Sequence, residues 1–299
     1  MLEFKEEFFK EETRCDFVIC EKMKRAWAAE MEVLSEVIRV CKKYKIPYFA
    51  DWGTLLGAVR HKGYVPWDDD LDIALRRKDF FKLMEMLPGE LPESYHISSF
   101  FMPGEHNQPL SCVMNSREIN TQPEFLEKFH GCPYIVGVDI AVLDYIPRDE
   151  ELVTAQRTLY SAVYDAAKRF PVLEKSGELD IYLPQIEELC GVTFDRNKPL
   201  RRQLWMLGEQ ICGMYNEQES DYLTWFPRTV CHDKKFRLKK EWYSSSIEMP
   251  FENITVSVPQ NYHDVLTMMY GNYEVYQKGW RAHGYPFYAA QDKLLNEIL

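Results

Sequence analysis

The run Trp67–Ile73, which reads WDDDLDI, constrains this 299-residue chain more than any other segment. Side chains alternate between the two faces of a strand, so Asp70 and Asp72 are expected on one face and Leu71 and Ile73 on the core-facing side. Two carboxylates about 5–7 Å apart repel each other by roughly 2–4 kcal/mol near a protein surface. A hard divalent cation offsets this repulsion best, because Mg²⁺ prefers oxygen ligands and combines one or two carboxylates with substrate phosphates.

Two other segments point to the same kind of site. Gly53 lets the backbone approach a ligand closely, and the N-terminus of the helix that follows presents free N–H groups, with the Thr54 hydroxyl beside them, to a phosphate. Asp139 lies in a second apolar run, Val138-Asp139-Ile140, and supplies a third carboxylate. The alternative interpretation, a solvated acidic loop, fits less well because the aspartates alternate with apolar residues.

Three basic residues follow the short helix predicted after Gly53. Arg60, His61 and Lys62 are candidates for contacts with phosphate oxygens. Each of them alone is equally typical of an ordinary surface cation. A glycine turn, an Asp-x-Asp pair and a later strand aspartate, in this order, therefore indicate a phosphate and metal site more specifically than any one of these features alone.

The periodicity of apolar residues predicts an α+β fold with a helical middle. Apolar spacing predicts helices over 22–45, 78–87 (ended by Pro88 and Gly89), 180–190, 198–215 and 261–270, and strands over 47–50, 71–75, 95–102, 110–120, 134–143 and 254–258. A further helical stripe is formed by Leu152, Ala155, Leu159, Val163, Ala166 and Phe170. We therefore expect a catalytic α/β part over 1–148, a helical insertion over 149–220 and a C-terminal segment over 221–299 that packs back on the first part.

Composition and charge exclude several classes of protein. The formal net charge is −11, which argues against a general nucleic-acid binder, because such proteins need a basic face. The N-terminus lacks the apolar stretch of a signal peptide, and no run approaches 18 apolar residues, so we expect neither export nor a transmembrane helix. The eight cysteines form no CxxC pair, which predicts reduced thiols in the cytoplasm rather than a zinc module.

Residues 51–73, DWGTLLGAVRHKGYVPWDDDLDI, closely resemble the signature of the LicD family, which is related to the fukutin group and belongs to the nucleotidyltransferase superfamily of DNA polymerase beta type. Residues 138–147 resemble the second acidic block of the family, although Ala141-Val142 stands where that block usually has Phe-Pro. Residues 258–262 and 266–273 resemble its C-terminal block. The resemblance covers roughly 35–147 and 225–285, and it leaves the helical middle unassigned.

The resemblance implies a nucleotidyltransferase-like mixed β-sheet with flanking helices and a phosphotransferase activity. Enzymes of this kind move a substituted phosphate, such as phosphocholine, from a CDP-linked donor to a hydroxyl of a glycan or cell-surface polysaccharide precursor, such as a lipopolysaccharide or teichoic acid, and CMP leaves. Asp70, Asp72 and Asp139 would hold Mg²⁺ or Mn²⁺, and Asp139 would accept the proton of the attacking hydroxyl. Gly53 and Thr54 would bind a phosphate, and the basic residues at 60–62 would steady the nucleotide.

Several alternatives stay open from the sequence. A nucleotidyltransferase that places NMP on an acceptor and releases pyrophosphate would use the same three carboxylates, and a catalytically inactive relative could bind a glycan or a partner. The head group could be choline, ethanolamine or a polyol, and a quaternary ammonium would need an aromatic cage. The acceptor, the oligomeric state, action at the inner face of a membrane and any part played by Asp68, Asp69, Asp144 or His283 are likewise undecided.

Overall fold

A computed structural model describes residues 1–231, 236–277 and 285–298. The chain divides into two compact units. The first unit comprises Met1–Ile97, Cys112–Ala141 and Ser245–Leu299, and the second comprises Ser98–Ser111 and Val142–Ser244. His283, whose role the sequence leaves undecided, lies outside the described residues.

The helices and strands alternate through the first third of the chain, and helices dominate the middle. The α-helices are α1 (Glu21–Tyr44), α2 (Trp52–His61), α3 (Arg77–Glu90), α4 (Pro123–Lys128), α5 (Glu150–Ser176), α6 (Leu179–Cys190), α7 (Leu200–Cys212), α8 (Phe226–Cys231), α9 (Tyr262–Tyr270) and α10 (Ala289–Ile298). The strands are β1 (Glu12–Arg14), β2 (Phe17–Ile19), β3 (Phe49–Ala50), β4 (Asp72–Arg76), β5 (His96–Ser98), β6 (Ser111–Met114), β7 (Gly137–Pro147), β8 (Ser220–Thr224), β9 (Leu238–Lys239), β10 (Ser246–Phe251) and β11 (Ile254–Pro259). Short 3-10 helices span Glu6–Phe9 and Lys240–Tyr243.

The first unit is built on a mixed sheet whose strands follow the order β3-β4-β7-β6-β5. β3 and β4 are antiparallel, with Phe49 opposite Ala74. Separate two-stranded ladders join β1 to β2 and β10 to β11. Helix α1 buries a continuous apolar stripe that includes Met23, Trp27 and Leu34. This architecture confirms the predicted α+β class, a mixed sheet flanked by helices.

The second unit is mainly helical. Its hydrophobic core is formed by residues such as Val163, Leu183, Leu204 and Trp205, which come from α5, α6 and α7. The last residues of β7 pair with β8, and β8 pairs with β9. In the described part of the chain, no helix combines the length and apolarity that crossing a bilayer requires.

Local rules correctly predicted most of the elements near the acidic run but were wrong at two places in the helices. Helix α3 continues through Pro88 and Gly89, because a proline in the last turn costs a single backbone hydrogen bond and Leu91 still bonds to Leu87. In α5 the buried face begins with Val153 rather than Leu152, which is 45% exposed. The predicted stripe is therefore one residue out of phase in the first turns, where any apolar residue satisfies the periodicity.

Candidate active site

Three consecutive aspartates lie in the loop between α2 and β4. One ligand atom from each of Asp68, Asp69 and Asp70 lies within 4.8 Å of the others. Asp69 is buried, whereas Asp68 and Asp70 are half-buried. This all-oxygen, negatively charged set suits a hard cation such as Mg²⁺ or Mn²⁺. The sequence motif points to Asp70 as a ligand and leaves Asp68 and Asp69 undecided, and the structure adds both as candidate ligands.

Asp72 and Asp139 lie next to this loop, on neighbouring strands. The backbone N–H of Asp139 in β7 donates to the carbonyl of Leu71, at 2.8 Å, immediately before β4. Burial raises the pKa of Asp72 well above its ordinary value, and the charges of Asp70 and Asp139 raise it further. Two of the carboxylates predicted from the sequence, Asp70 and Asp139, therefore act electrostatically on the third, and a bound cation would relieve this repulsion.

The N-terminal turn of α2 is tied to the beginning of β4. The N–H of Asp51 donates to the carbonyl of Asp72 at 3.0 Å, and the N–H of Asp72 donates to Oγ1 of the buried Thr54 at 2.8 Å. A Cβ added to Gly53 would lie well under 3.0 Å from Oδ2 of Asp68. Glycine at this position therefore makes room for that carboxylate, while phosphate binding by Gly53 and Thr54 stays a prediction.

The basic residues predicted to bind phosphate lie at the other end of α2. Eight residues at 1.5 Å each separate Gly53 from His61, which is about 12 Å along the helix axis. Arg60 is half-buried, and its Nη1 donates to the carbonyl of Tyr273 at 2.7 Å. Lys62 is exposed and ends the helix. The structure therefore does not bring these cations together with the first turn of α2.

His61 is held in its neutral form. The Nε–H of Arg60 donates to Nε2 of His61 at 2.9 Å, so this ring nitrogen acts as an acceptor. Burial lowers the pKa of His61 to about 4, and the charges of Arg60 and Arg14 act in the same direction. The imidazole therefore carries no charge at neutral pH.

A buried aromatic support lies against the backbone of the aspartate loop. The indole N–H of Trp27 donates to the carbonyl of Asp68 at 3.1 Å, and its ring stacks on Tyr64 with centroids 4.3 Å apart. The Tyr64 hydroxyl donates to Glu30 at 2.8 Å. Burial raises the pKa of Glu30 well above its ordinary value, and the charges of the nearby Asp70, Asp69 and Asp68 raise it further.

The C-terminal segment also reaches the acidic loop, a contact that the sequence pattern does not predict. The N–H of Phe287 donates to Oδ2 of Asp69 at 2.6 Å. Gln291, in the first turn of α10, makes two hydrogen bonds with the backbone of Ile135. Its side chain accepts from the Ile135 N–H at 2.8 Å and donates to the Ile135 carbonyl at 3.0 Å. No local sequence pattern could reveal the contact between Phe287 and Asp69, because these residues are 218 positions apart.

The sequence assigns no role to two further groups, the thiol of Cys112 and the carboxylate of Asp144. Cys112 is buried beside Asp139, and burial followed by the charge of that carboxylate raises the pKa of the thiol well above its ordinary value. Gly137 keeps space for this thiol, because a Cβ there would lie 2.8 Å from Sγ. Asp144 is buried and belongs to the second unit, whereas Asp70, Asp72 and Asp139 belong to the first.

Comparison with known proteins agrees with this geometry. Residues 45–118, which include the aspartate loop and β4, match the family model described as LicD/FKTN/FKRP, nucleotidyltransferase domain. The chain is 23% identical over 248 residues to the lipopolysaccharide cholinephosphotransferase LicD of Haemophilus influenzae, covering 81% of this chain and 88% of that protein. The family model and this relative both support the resemblance to the LicD family that the sequence motifs predict.

Two shorter matches have higher identity. An uncharacterized protein of Rickettsia prowazekii is 42% identical over 57 residues, which is 19% of this chain and 21% of that protein. An uncharacterized protein of Rickettsia typhi is 40% identical over 57 residues, which is 19% of this chain and 18% of that protein. The likeness to the Haemophilus protein, in contrast, extends over most of this chain.

Proposed function

We propose that this chain is a metal-dependent phosphotransferase that moves phosphocholine from a CDP-linked donor to a hydroxyl of a lipopolysaccharide or related glycan. The observation that carries the proposal is the assembly of Asp68–Asp70, Asp72 and Asp139 in one electrostatic neighbourhood. The likeness to a lipopolysaccharide cholinephosphotransferase over 81% of the chain supports the reaction and the acceptor class.

The acidic residues would take distinct parts in this reaction. Asp70 and Asp72 would hold a divalent cation, with Asp68 as a further candidate ligand, and the cation would neutralise charge on the donor diphosphate. The acceptor oxygen forms a bond to the phosphorus that carries choline, and the bond from that phosphorus to CMP breaks. The hydroxyl proton passes to the carboxylate of Asp139, and CMP leaves with the bonding electron pair.

The buried groups around the site would position these carboxylates. Trp27 holds the carbonyl of Asp68, Thr54 fixes the first residue of β4, and the N–H of Phe287 takes one oxygen of Asp69. Contacts of this kind would keep the carboxylates in place during phosphoryl transfer and limit the reorganisation it needs. Phosphate binding by Gly53 and Thr54 and nucleotide binding by Arg60, His61 and Lys62 remain parts of the proposal.

The experiment compares the two reactions that the same carboxylates could perform. Purified protein is incubated with Mg²⁺ or Mn²⁺, lipopolysaccharide and either CDP-choline or CTP. We expect CMP from CDP-choline and no pyrophosphate from CTP, with Asp70→Asn lowering CMP release by at least about a hundredfold. Pyrophosphate release would favour the nucleotidyltransferase alternative, and no product from either nucleotide would favour an inactive glycan- or partner-binding relative.

A further inference from the structure

A cluster of aromatic rings lies immediately beside the aspartate loop. Trp67 precedes Asp68 in the chain, and three rings surround it at steep angles. The centroid of Trp67 lies 6.2 Å from Phe17 at 67°, 6.5 Å from His61 at 80° and 6.4 Å from Tyr276 at 83°. We call these four rings the aromatic recess.

Three separate segments of the first unit build the aromatic recess. Phe17 comes from β2, His61 and Trp67 come from the end of α2 and the loop after it, and Tyr276 follows α9. The hydrogen bond from Arg60 to the carbonyl of Tyr273 holds the last of these segments. The rings are accessible: Phe17, His61 and Trp67 are half-buried, and Tyr276 is 45% exposed. A hydrophobic core would have enclosed them.

We infer that the aromatic recess binds the quaternary ammonium of the donor, an inference that rests on the proposed function and specifies its substrate. Trimethylammonium groups bind to the faces of aromatic rings, and tryptophan is the strongest of these partners. Rings set nearly perpendicular to one another, with centroids about 6 Å apart, offer several faces to one compact cation.

The position of the recess matches the shape of the donor. In phosphocholine, only two carbons separate the phosphate ester oxygen from the nitrogen. Trp67 and Asp68 are consecutive residues, with α-carbons about 3.8 Å apart, so the aromatic recess is within reach of a short head group on a donor held at the aspartate loop. The neutral His61 adds a ring without a repelling charge, because its Nε2 accepts a hydrogen bond from Arg60.

The positive charge of Arg60 limits which ring can take the ammonium. Its guanidinium lies 4.7 Å from the centroid of Tyr276, so this ring already binds one cation. Trp67 and Phe17 therefore supply the principal binding faces, and Tyr276 closes the side of the recess.

Donor binding, measured by calorimetry with Mn²⁺ present, tests the inference without any substitution. CDP-choline is compared with the isostere in which a tert-butyl group replaces the trimethylammonium group, and with CMP, which has no head group. We expect the isostere to bind about tenfold more weakly than CDP-choline, because it keeps the shape but lacks the charge. Equal affinities for CDP-choline and the isostere would overturn the inference.

Two variants then locate the charge preference. Trp67→Leu and Tyr276→Leu should reduce the preference for CDP-choline over the isostere while the affinity for CMP stays unchanged. Trp242→Leu is the matched control, because Trp242 is also half-buried but belongs to the second unit. A preference unchanged in both recess variants, or an equal loss of CMP affinity, would contradict the inference. CMP release by the same samples reports separately on the proposed function.

Discussion

The carboxylate of Asp68 lies against the α-carbon of Gly53, where a side chain of any other residue would collide with it. The two residues come from the first turn of α2 and from the aspartate loop. Asp68, a candidate metal ligand, can therefore keep its position only because Gly53 has no Cβ.

Gly53→Ala should therefore damage function far more than stability. The atom displaced is the end of a short side chain, so Asp68 can move aside at little cost, whereas a misplaced ligand costs phosphoryl transfer heavily. We expect CMP release to fall by about a hundredfold, with a loss in the free energy of unfolding of about 1 kcal/mol or less. Kinetic assays and thermal denaturation measure the two effects.

Gly89→Ala is the matched control for this substitution. Gly89 lies in the last turn of α3, and a Cβ there would contact nothing within 4 Å. Alanine in a helix should stabilise the protein by about 0.5–1 kcal/mol and leave CMP release unchanged. If Gly53→Ala behaved like this control, Asp68 would not need its present position.

Asp70→Asn should stabilise the metal-free protein while abolishing stabilisation by metal. The charge of Asp70 raises the pKa of Asp72, so Asp70 disfavours the ionised form of its neighbour. Removing one charge should raise the free energy of unfolding by about 1 kcal/mol without metal. Mn²⁺ should raise the melting temperature of the wild type and leave that of Asp70→Asn unchanged.

Asp180→Asn is the control, because Asp180 is exposed on α6. It should change neither the free energy of unfolding without metal nor the rise in melting temperature caused by Mn²⁺. If Mn²⁺ raised the melting temperature of Asp70→Asn as much as that of the wild type, the cation would bind elsewhere.

His61 should make the protein sensitive to mild acid. Its pKa is about 4 in the folded state, below the ordinary value of 6.5, so the unfolded chain binds the proton more tightly. Its contribution to stability is complete above about pH 6.5 and is lost progressively as the pH falls towards 4. His61→Gln should flatten this part of the stability curve, as measured by urea denaturation at a series of pH values. An unchanged slope would show that His61 is not enclosed as the structure describes.

Gln291 should hold the C-terminal helix and, through it, Asp69. Gln291→Ala removes both hydrogen bonds to Ile135 and leaves a backbone donor and acceptor without those partners. We expect a loss of about 1–3 kcal/mol and faster hydrogen exchange in residues 285–298. Mn²⁺ affinity should fall as well, because the Phe287 N–H would no longer fix Asp69.

Lys293→Ala serves as the control on the same helix, because Lys293 is exposed. It should leave exchange and Mn²⁺ affinity unchanged. If Gln291→Ala accelerated exchange but left Mn²⁺ affinity intact, Asp69 would not depend on the C-terminal segment.

The sequence allowed prediction of the elements that local patterns determine. The period of apolar residues correctly predicted α1 and the strand that carries Asp139, because each buries one regular face. The predicted alternation of faces is also confirmed, because Leu71 is buried and its neighbours Asp70 and Asp72 are half-buried. The error at Pro88 has a local cause, since a proline is tolerated where few helical bonds follow it.

The parts that could not be predicted depend on contacts between distant residues. Trp27 and Asp68 are 41 positions apart, and Asp69 and Phe287 are 218 apart. The aromatic recess likewise joins Phe17 to Tyr276. Periodicity describes which face of an element is buried but not which segment covers it, so the ligands could be proposed from sequence and their supports could not.

The transfer of phosphocholine itself is tested most directly with CDP-choline labelled separately in choline and in cytidine. The protein is incubated with this donor, Mn²⁺ and lipopolysaccharide, and the glycan is then separated from the nucleotides. We predict that the choline label enters the glycan, that the cytidine label appears as an equal amount of CMP, and that Asp70→Asn stops both. Cytidine label on the glycan, or no label on it with the wild-type protein, would contradict the account.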